Sequence, residues 1–287
     1  MKKMLALLLA LVMVLSLAAC ASSQPAAAST ETAETTETTE PAAEESAEAP
    51  AESGKTYTVG VCQLVQHEAL DAATQGFVDA LKEELGDAVT VDVQNASGDS
   101  VNCGTIVNGF VSKGVDLIMA NATPALTAAV SATADIPILG TSITAYGVAL
   151  DIDDFNGTVG GNISGTSDLA DLQAQAQMIL DWFPETKTVG LLFCSAEPNS
   201  RYQIDEVRKA LEAQGVTCEE FAFTDSNDVS SVTQKAADFS DVVYIPTDNT
   251  AASNTEAIAN VLIPAGVPAI CGEEGLCRGC GVATLSI

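Results

Sequence analysis

The hydrophobic and polar positions of this chain change their period repeatedly between residues 56 and 287. Short apolar runs, which predict strands, alternate with stretches whose apolar residues recur every three to four positions, which predict helices. The first half of this region predicts strands at 57–63, 89–93, 116–120 and 137–140, and helices at 69–85, 101–111 and 124–132. This alternating order predicts a parallel sheet covered by helices on both faces.

The periodic pattern is interrupted over residues 144–165, which are rich in Gly, Asp and Asn, and it then resumes. The second half predicts strands at 188–194, 217–223, 241–245, 268–271 and 282–287, and helices at 169–183, 200–214, 229–237 and 250–262. The predicted fold class is therefore α/β, with two Rossmann-like lobes of parallel sheet: an N-terminal lobe at 56–145, a crossing at 146–168 and a C-terminal lobe at 169–287. Such folds bind ligands at the carboxyl ends of strands and in a cleft between lobes.

The first twenty residues follow a different pattern. Lys2 and Lys3 precede an apolar run over residues 4–17, which is short for a membrane span, and small residues then lead to Cys20. The order Leu-Ala-Ala-Cys resembles the lipobox of bacterial lipoproteins. That resemblance implies a signal peptide at 1–19 and a Cys20 lipid anchor on the extracytoplasmic face of the cell membrane. A secretory signal with a coincidental cysteine is the alternative.

Residues 21–54 consist mainly of Ala, Ser, Thr, Glu and Pro, without aromatic or basic residues. Such a composition buries too little apolar surface to offset the entropy of ordering, so it predicts an acidic, disordered tether at 20–55. The whole chain carries a formal net charge of −28. This charge argues against nucleic acid as a partner and against electrostatic adhesion to anionic lipids, which leaves the acyl group as the anchor.

The chain has eight cysteines, and with Cys20 lipidated the other seven cannot all pair. Five of these fall inside predicted elements, where a free thiol behaves as a small core residue: Cys62, Cys103, Cys194, Cys218 and Cys271. The remaining two, Cys277 and Cys280, form a CxxC in a Gly-rich stretch that predicts a turn before the last strand. A local disulfide or a reduced pair is expected there. A metal site or redox catalysis is the alternative, although zinc usually needs four ligands.

Five short motifs occur in order at predicted strand ends. They are Gln63-Leu-Val-Gln-His67-Glu-Ala-Leu-Asp71, Ala122-Thr-Pro-Ala125, Gly160-Gly-Asn-Ile-Ser-Gly-Thr-Ser-Asp168, Pro246-Thr-Asp-Asn-Thr250 and Gly272-Glu-Glu-Gly275. Over residues 57–287 this set resembles the substrate-binding lipoproteins of ABC importers that have the type I periplasmic-binding-protein fold, in the branch associated with tryptophan and other aromatic amino acids.

The resemblance implies a small-molecule ligand, an aromatic or other apolar amino acid, that is delivered to an ABC permease and ATPase complex. The family pattern continues beyond the strand predicted at 282–287, so the resemblance also implies a C-terminal lobe that is truncated at Ile287. A ligand-sensing lipoprotein of the same fold, which presents its ligand to a membrane receptor, is the alternative function.

An amino acid presents a carboxylate and an ammonium group, which need different partners. Donors for the carboxylate are expected at helix N-termini and strand ends. The candidates are Thr123 as an N-cap, Thr141, Ser142, Asn199 and Ser200. A desolvated ammonium needs a carboxylate, for which Asp248 is the first choice and Asp168 the second. The further candidates are His67, Thr247, Asn249, Glu273 and Glu274. Capping or turn formation is the alternative role for several of these residues.

No nucleophile, phosphate-binding or metalloprotease motif of the form GxSxG, GxxxxGK[ST] or HExxH occurs in the sequence. His67 is also the only histidine, which leaves few groups for general base chemistry. We therefore expect a binding protein without catalytic residues, cofactor or metal.

Overall fold

The computed structural model describes residues 54–287. The predicted signal peptide, the predicted lipid acceptor Cys20 and the predicted tether up to residue 53 lie outside the described residues. Within residues 54–287, no helix is both long enough and apolar enough to cross a membrane.

The first lobe is built on a five-stranded sheet whose strands all run parallel, in the order β2-β1-β3-β4-β5. The strands are β1 (Tyr57–Gln63), β2 (Val89–Asn95), β3 (Leu117–Asn121), β4 (Ile138–Ile143) and β5 (Ile163–Ser167). The helices of this lobe are α1 (Glu68–Leu85), α2 (Ser100–Lys113), α3 (Thr123–Ala132) and the short α4 (Tyr146–Ala149). Phe110 and Ile118 are fully buried in its core.

The second lobe has its own parallel five-stranded sheet, in the order β10-β9-β8-β6-β7. The strands are β6 (Thr188–Cys194), β7 (Thr217–Phe223), β8 (Val242–Ile245), β9 (Ala269–Cys271) and β10 (Ala283–Thr284). The helices are α5 (Leu172–Trp182), α6 (Pro198–Glu212), α7 (Val229–Phe239), α8 (Asn249–Ala252), α9 (Thr255–Ala265) and α10 (Glu274–Cys280). Apolar residues fill both faces of the sheet, which explains why its strands are almost continuously hydrophobic in sequence.

The segment predicted as an irregular crossing contains ordered structure. Strand β5 pairs with β4, so the N-terminal sheet extends to Ser167 and not only to residue 145. Its sequence hides it, because only Ile163 of its five residues is a large apolar residue and the other four are exposed. An exposed edge strand needs no hydrophobic alternation.

Three further predictions about elements are wrong. The helix predicted at 250–262 is two helices, α8 and α9, because the chain turns between them and Asn254 Nδ2 donates to the Thr250 carbonyl at 2.7 Å. The CxxC lies on helix α10 and not in a turn. The strand predicted at 282–287 is reduced to the two residues of β10.

Candidate functional site

A cavity of about 380 Å³ lies between the carboxyl ends of the two sheets. One wall comes from the residues after β1 and β5 and from the end of β4, and the other wall from the residues after β8, β9 and β10. Strands that run parallel in one sheet all end at the same edge, so the loops that follow them converge. The volume is in the range of small-molecule sites.

Eight of the twelve candidate residues lie on the wall of this cavity. They are His67, Ser142, Asp168, Thr247, Asp248, Asn249, Glu273 and Glu274. Ser142 has a positive φ of 56°, which is uncommon for a residue with a side chain. Backbone in this region tends to occur where a side chain must be held in a particular direction at a site.

The other four candidates do not lie on this wall. Thr141 lines a separate cavity of about 300 Å³ next to helix α1. Thr123, Asn199 and Ser200 are buried. Thr123 is not an N-cap as predicted, because the cap position of α3 is Ala122, and Thr123 is already the first helical residue.

Two of these buried residues nevertheless have an unpaired oxygen. Neither Thr123 Oγ1 nor Asn199 Oδ1 has a hydrogen-bond partner within the described part of the chain. Thr123 begins α3, Asn199 lies in the first turn of α6, and these two helices contact each other across the lobes. Buried oxygen atoms without partners cost free energy, so both positions need an explanation that the described protein atoms do not supply.

Asp248, the first choice for an ammonium partner, has both carboxylate oxygens occupied. Its Oδ2 accepts from the Cys194 amide at 2.6 Å, and its Oδ1 accepts from the Ala251 amide at 2.8 Å, which caps helix α8. Burial, and then the neighbouring Glu197 carboxylate, raise the pKa of Asp248 to about 7, against the opposing hydrogen bonds from the Ala251 and Cys194 amides. This environment is typical of a structural carboxylate.

Asp168, the second choice, is in a different situation. It follows β5, and its backbone amide donates to the Ile143 carbonyl at 3.1 Å, which positions the residue at the edge of the cavity. Its Oδ1 is buried and has no hydrogen-bond partner among the described residues. Burial raises the pKa of Asp168, against an opposing hydrogen bond from Thr144. A cationic group in the cavity would satisfy this oxygen.

Glu197 is a residue of this region that the sequence analysis missed. Its carboxylate is buried and accepts from the backbone and side chain of Asn249, at 3.1 and 2.6 Å, and of Thr250, at 2.9 and 2.8 Å. It therefore holds the first turn of α8, which belongs to the cavity wall. Pro198 at the start of α6 marks Glu197 as the cap position of that helix, and this signal was available in the sequence.

The cavity lining is rich in carboxylates. Five acidic residues line it: Glu68, Asp168, Asp248, Glu273 and Glu274. The basic group among the lining residues is Arg278, besides the imidazole of His67. No cluster of three metal-ligating side chains occurs within residues 54–287. The arrangement suits a small molecule with a positive group better than one with a net negative charge.

The sequence model of a family described as ABC transporter substrate binding protein matches residues 58–287. The chain belongs to this family. The family is one of substrate-binding proteins, which agrees with the prediction of a protein without catalytic function. The predicted resemblance is therefore confirmed.

Among curated proteins, the Tyrosine-binding protein of Clostridioides difficile (strain R20291) is 33% identical over 230 residues. The match covers 78% of this chain and 66% of that protein, so the chain spans slightly less than two thirds of the relative. A crystal structure of an ABC domain in complex with L-Trp from Streptococcus pneumoniae is similar in fold. Its TM-score is 0.76 at 31% identity, covering 81% of this chain and 79% of the other. The predicted type I periplasmic-binding-protein fold is confirmed by this similarity.

A second solved structure is also similar to this chain. The ligand-free, open structure of a Clostridium difficile substrate-binding protein with adhesive properties is 34% identical to it, with a TM-score of 0.53 that covers 78% of this chain and 77% of the other.

Two contacts at the cavity join the lobes. His67 Nε2 lies 3.2 Å from Asn249 Oδ1, and Arg278 Nη1 donates to Glu68 Oε1 at 2.9 Å. Because Asn249 Nδ2 donates to Glu197, its Oδ1 is directed to the histidine, whose Nε2 carries the proton in this contact. The rim of the site is therefore shared between α1, α8 and α10.

Proposed function

We propose that this chain is an extracytoplasmic, lipid-anchored binding protein that takes up an aromatic or other apolar amino acid and delivers it to an ABC permease and ATPase complex. The observation that carries this proposal is the unpaired, buried Oδ1 of Asp168 on the wall of the cavity between the lobes. Family membership supports the role as the binding component of a transporter.

The ammonium group of the ligand is assigned to Asp168. Asp248 is the less suitable partner, because the Cys194 and Ala251 amides already occupy its oxygens. A charge-assisted hydrogen bond from an ammonium would satisfy the free oxygen of Asp168 and would favour its ionised form. Binding at acidic pH, where Asp168 is protonated, should therefore be weaker than binding at neutral pH.

The side chain of the ligand is assigned to the apolar part of the wall. The apolar residues there are Ala69, Leu70, Ala72, Ala252 and Ile287. Small alanine side chains on both walls leave room for a bulky group, and burial of an apolar side chain there is favourable. The choice of an aromatic ligand is supported by the tyrosine-binding relative and by the relative solved with L-Trp.

Calorimetry on the full chain with L-tryptophan, L-tyrosine, L-leucine and glucose tests the proposal. We expect one or more of the amino acids to bind, and the Asp168→Asn variant to bind roughly 10- to 100-fold more weakly because the ammonium loses its charged partner. Asp171→Asn is the matched control. Asp171 caps α5 three residues away, and asparagine caps equally well, so its affinity should not change. Binding of glucose alone would contradict the ligand class, and unchanged affinity in Asp168→Asn would remove Asp168 from the site.

The anchor is tested separately, by expression of the Cys20→Ala variant in a bacterial host. A thiol is required for the lipid, so we expect the variant to leave the membrane fraction or to accumulate with its leader uncleaved. Cys218→Ala is a suitable control, because this cysteine lies in β7 of the second lobe and should not affect fractionation. A cleaved Cys20→Ala protein that stays in the membrane fraction would contradict the lipid anchor.

A further inference from the structure

Three cysteines meet beneath helix α10, at the rim of the cavity. Cys271 is the last residue of β9, and Cys277 and Cys280 lie on α10. All three side chains belong to, or pack against, the same apolar cluster of the second lobe. A Cβ atom placed on Gly281 would lie 2.5 Å from Cys271 Sγ and 3.0 Å from the Cys277 Cα, which shows how closely the strand and the helix approach here. Within residues 54–287 all cysteines are free thiols.

The three thiols differ in what they are able to react with. Cys271 and Cys280 are buried, and Cys280 Sγ donates to the Leu276 carbonyl at 3.3 Å within its own helix. Cys277 is only partly buried, so small molecules can reach it. The neighbouring Cys271 thiol lowers the pKa of Cys277 to about 7, whereas its two neighbouring thiols and burial raise the pKa of Cys271 well above its usual value. Cys277 is thus the nucleophilic thiol of the cluster.

A second pair of neighbouring thiols in the same chain serves as an internal comparison. Cys62 on β1 and Cys103 on α2 belong to one core cluster, and the Cys62 thiol lowers the pKa of Cys103. Both side chains are fully buried in the core of the first lobe. In both pairs the two thiols lie close together. The Cys271 and Cys277 pair differs because one of its thiols, Cys277, is accessible to a reactant.

We propose that Cys277 and Cys271 form a reversible disulfide in exchange with low-molecular-weight disulfides. The Cys277 thiolate attacks one sulfur of the small disulfide RSSR, which gives a mixed disulfide and releases one RS⁻. The Cys271 thiol then loses its proton and attacks Cys277 Sγ, which releases the second RS⁻. Two protein thiols are oxidised, RSSR is reduced to two thiols, and the two protons from the protein end on the released thiols.

The disulfide would change the rim of the cavity. A sulfur–sulfur bond is about 2.0 Å long, shorter than a non-bonded contact between two thiols, so we expect Cys277 and the helix α10 that carries it to shift relative to β9. Helix α10 carries Glu274 and Arg278 on the cavity wall, and Arg278 pairs with Glu68 of the other lobe. We therefore expect oxidation to loosen the contact between the lobes. This consequence rests on the proposed function, whereas the disulfide itself does not.

The test uses the full, folded chain treated with oxidised glutathione under native conditions, followed by alkylation. We expect the loss of two free thiols and their return after treatment with a reductant. Trypsin makes the assignment direct, because cleavage after Lys235 and Arg278 leaves Cys271 and Cys277 in one peptide and Cys280 in the next. A Cys271–Cys277 disulfide lowers the mass of that one peptide by two hydrogens, whereas a bond to Cys280 joins two peptides.

Variants separate the alternatives. Cys280→Ser should still lose two thiols, and Cys277→Ser should lose none. Cys271→Ala should stop at a glutathione adduct on Cys277. If Cys271→Ala does not fold, Cys277→Ser and the peptide masses decide the question. Cys62 and Cys103 should be alkylated only after unfolding. The absence of thiol loss in the native protein, or a bond between Cys277 and Cys280, would overturn the proposal.

The effect on the ligand site is measured by calorimetry on the reduced and oxidised forms with the same amino acid. We expect about fivefold weaker binding in the oxidised form, a coupling of ordinary size for two linked sites. Equal affinities of the two forms would overturn the coupling between α10 and the cavity. If neither form binds any amino acid, the proposed function fails, while the thiol counts still decide whether the disulfide exists.

Discussion

Asp168 and Asp248 both follow strands and both line the cavity, yet their oxygen atoms have different surroundings. In Asp248 the two oxygens accept from the Cys194 and Ala251 amides, whereas one oxygen of Asp168 is unpaired among the described residues. The bond to Ala251 is local and follows from the N-cap position of Asp248. The bond to Cys194 comes from a neighbouring strand, so the sequence alone could not show that Asp248 is fully occupied.

The buried carboxyl of Asp248 should make stability depend on pH. Burial raises its pKa from 3.8 to about 7, so the folded state binds an extra proton between these pH values. The contribution of Asp248 to the free energy of unfolding is therefore greatest at acidic pH and falls as the pH rises from about 4 to about 7. The free energy of unfolding of the wild-type chain, relative to that of Asp248→Asn, should therefore fall by roughly 1–3 kcal/mol across this window.

Urea unfolding of both proteins at pH 5 and pH 7.5 measures this difference. Subtracting the two free energies at each pH removes the contributions of all other titrating groups that the variant leaves unchanged. A difference between wild type and Asp248→Asn that stays constant with pH, or grows toward neutral pH, would contradict a raised pKa for Asp248.

At the scale of elements, β5 shows why an edge strand escapes detection in sequence. Gly165 has a φ of 152°, and a Cβ there would overlap with Gly140 and the Tyr146 hydroxyl. The same hydroxyl donates to the Gly140 carbonyl at 3.1 Å, so α4 is packed tightly on β4 and β5. The strand is therefore held by close backbone packing, which leaves no hydrophobic pattern.

We expect Gly165→Ala to destabilise the chain by about 2–4 kcal/mol, because the added methyl group has no space and the backbone would have to move. Asp168 follows β5, so ligand affinity should fall as well. Gly104→Ala is the matched control. Nothing lies within 4 Å of its added Cβ, and in the interior of α2 the change should stabilise by about 0.5–1 kcal/mol. Equal free energies of unfolding for the two variants would show that β5 is not constrained as described.

The CxxC motif lies in a different element from the one that the sequence predicted. A Gly-rich CxxC was predicted in a turn, but it forms the last turn of α10, whose cap Glu273 accepts from the Gly275 amide at 2.7 Å. The Glu273 cap was visible in sequence only as a candidate ligand residue. The approach of Cys271 to the motif is tertiary, because β9 and α10 are brought together by their common packing in the second lobe.

At the scale of the whole molecule, the relation of the two lobes depends on few polar contacts. The Glu68–Arg278 pair lies at the cavity rim, and both side chains are largely exposed. Exposed ion pairs contribute little to stability, but they are able to shift the balance between two arrangements of packed lobes.

Arg278→Glu should therefore leave the melting temperature almost unchanged while it shifts the lobes toward a more open arrangement. We expect a larger radius of gyration in small-angle scattering and about threefold weaker ligand binding, because like charges then face each other at the rim. The double variant Glu68→Arg with Arg278→Glu restores an opposite pair and should recover both values. A single variant with unchanged scattering and affinity would show that this pair does not hold the lobes together.

The sequence by itself determined the α/β class, the two-lobed order and the bounds of β1, β6 and β7, because buried parallel strands and amphipathic helices are local patterns that burial imposes on the chain. The sequence also identified eight of the residues that line the cavity, since strand ends converge at one edge of a sheet. Only the tertiary structure decided that β5 joins the first sheet, that Asp168 and not Asp248 has a free oxygen, and that Cys271 meets the CxxC. The physical reason is that hydrogen-bond partners such as the Cys194 amide of Asp248, and the Asn249 and Thr250 donors of Glu197, are distant in sequence. No local pattern encodes which of them are satisfied.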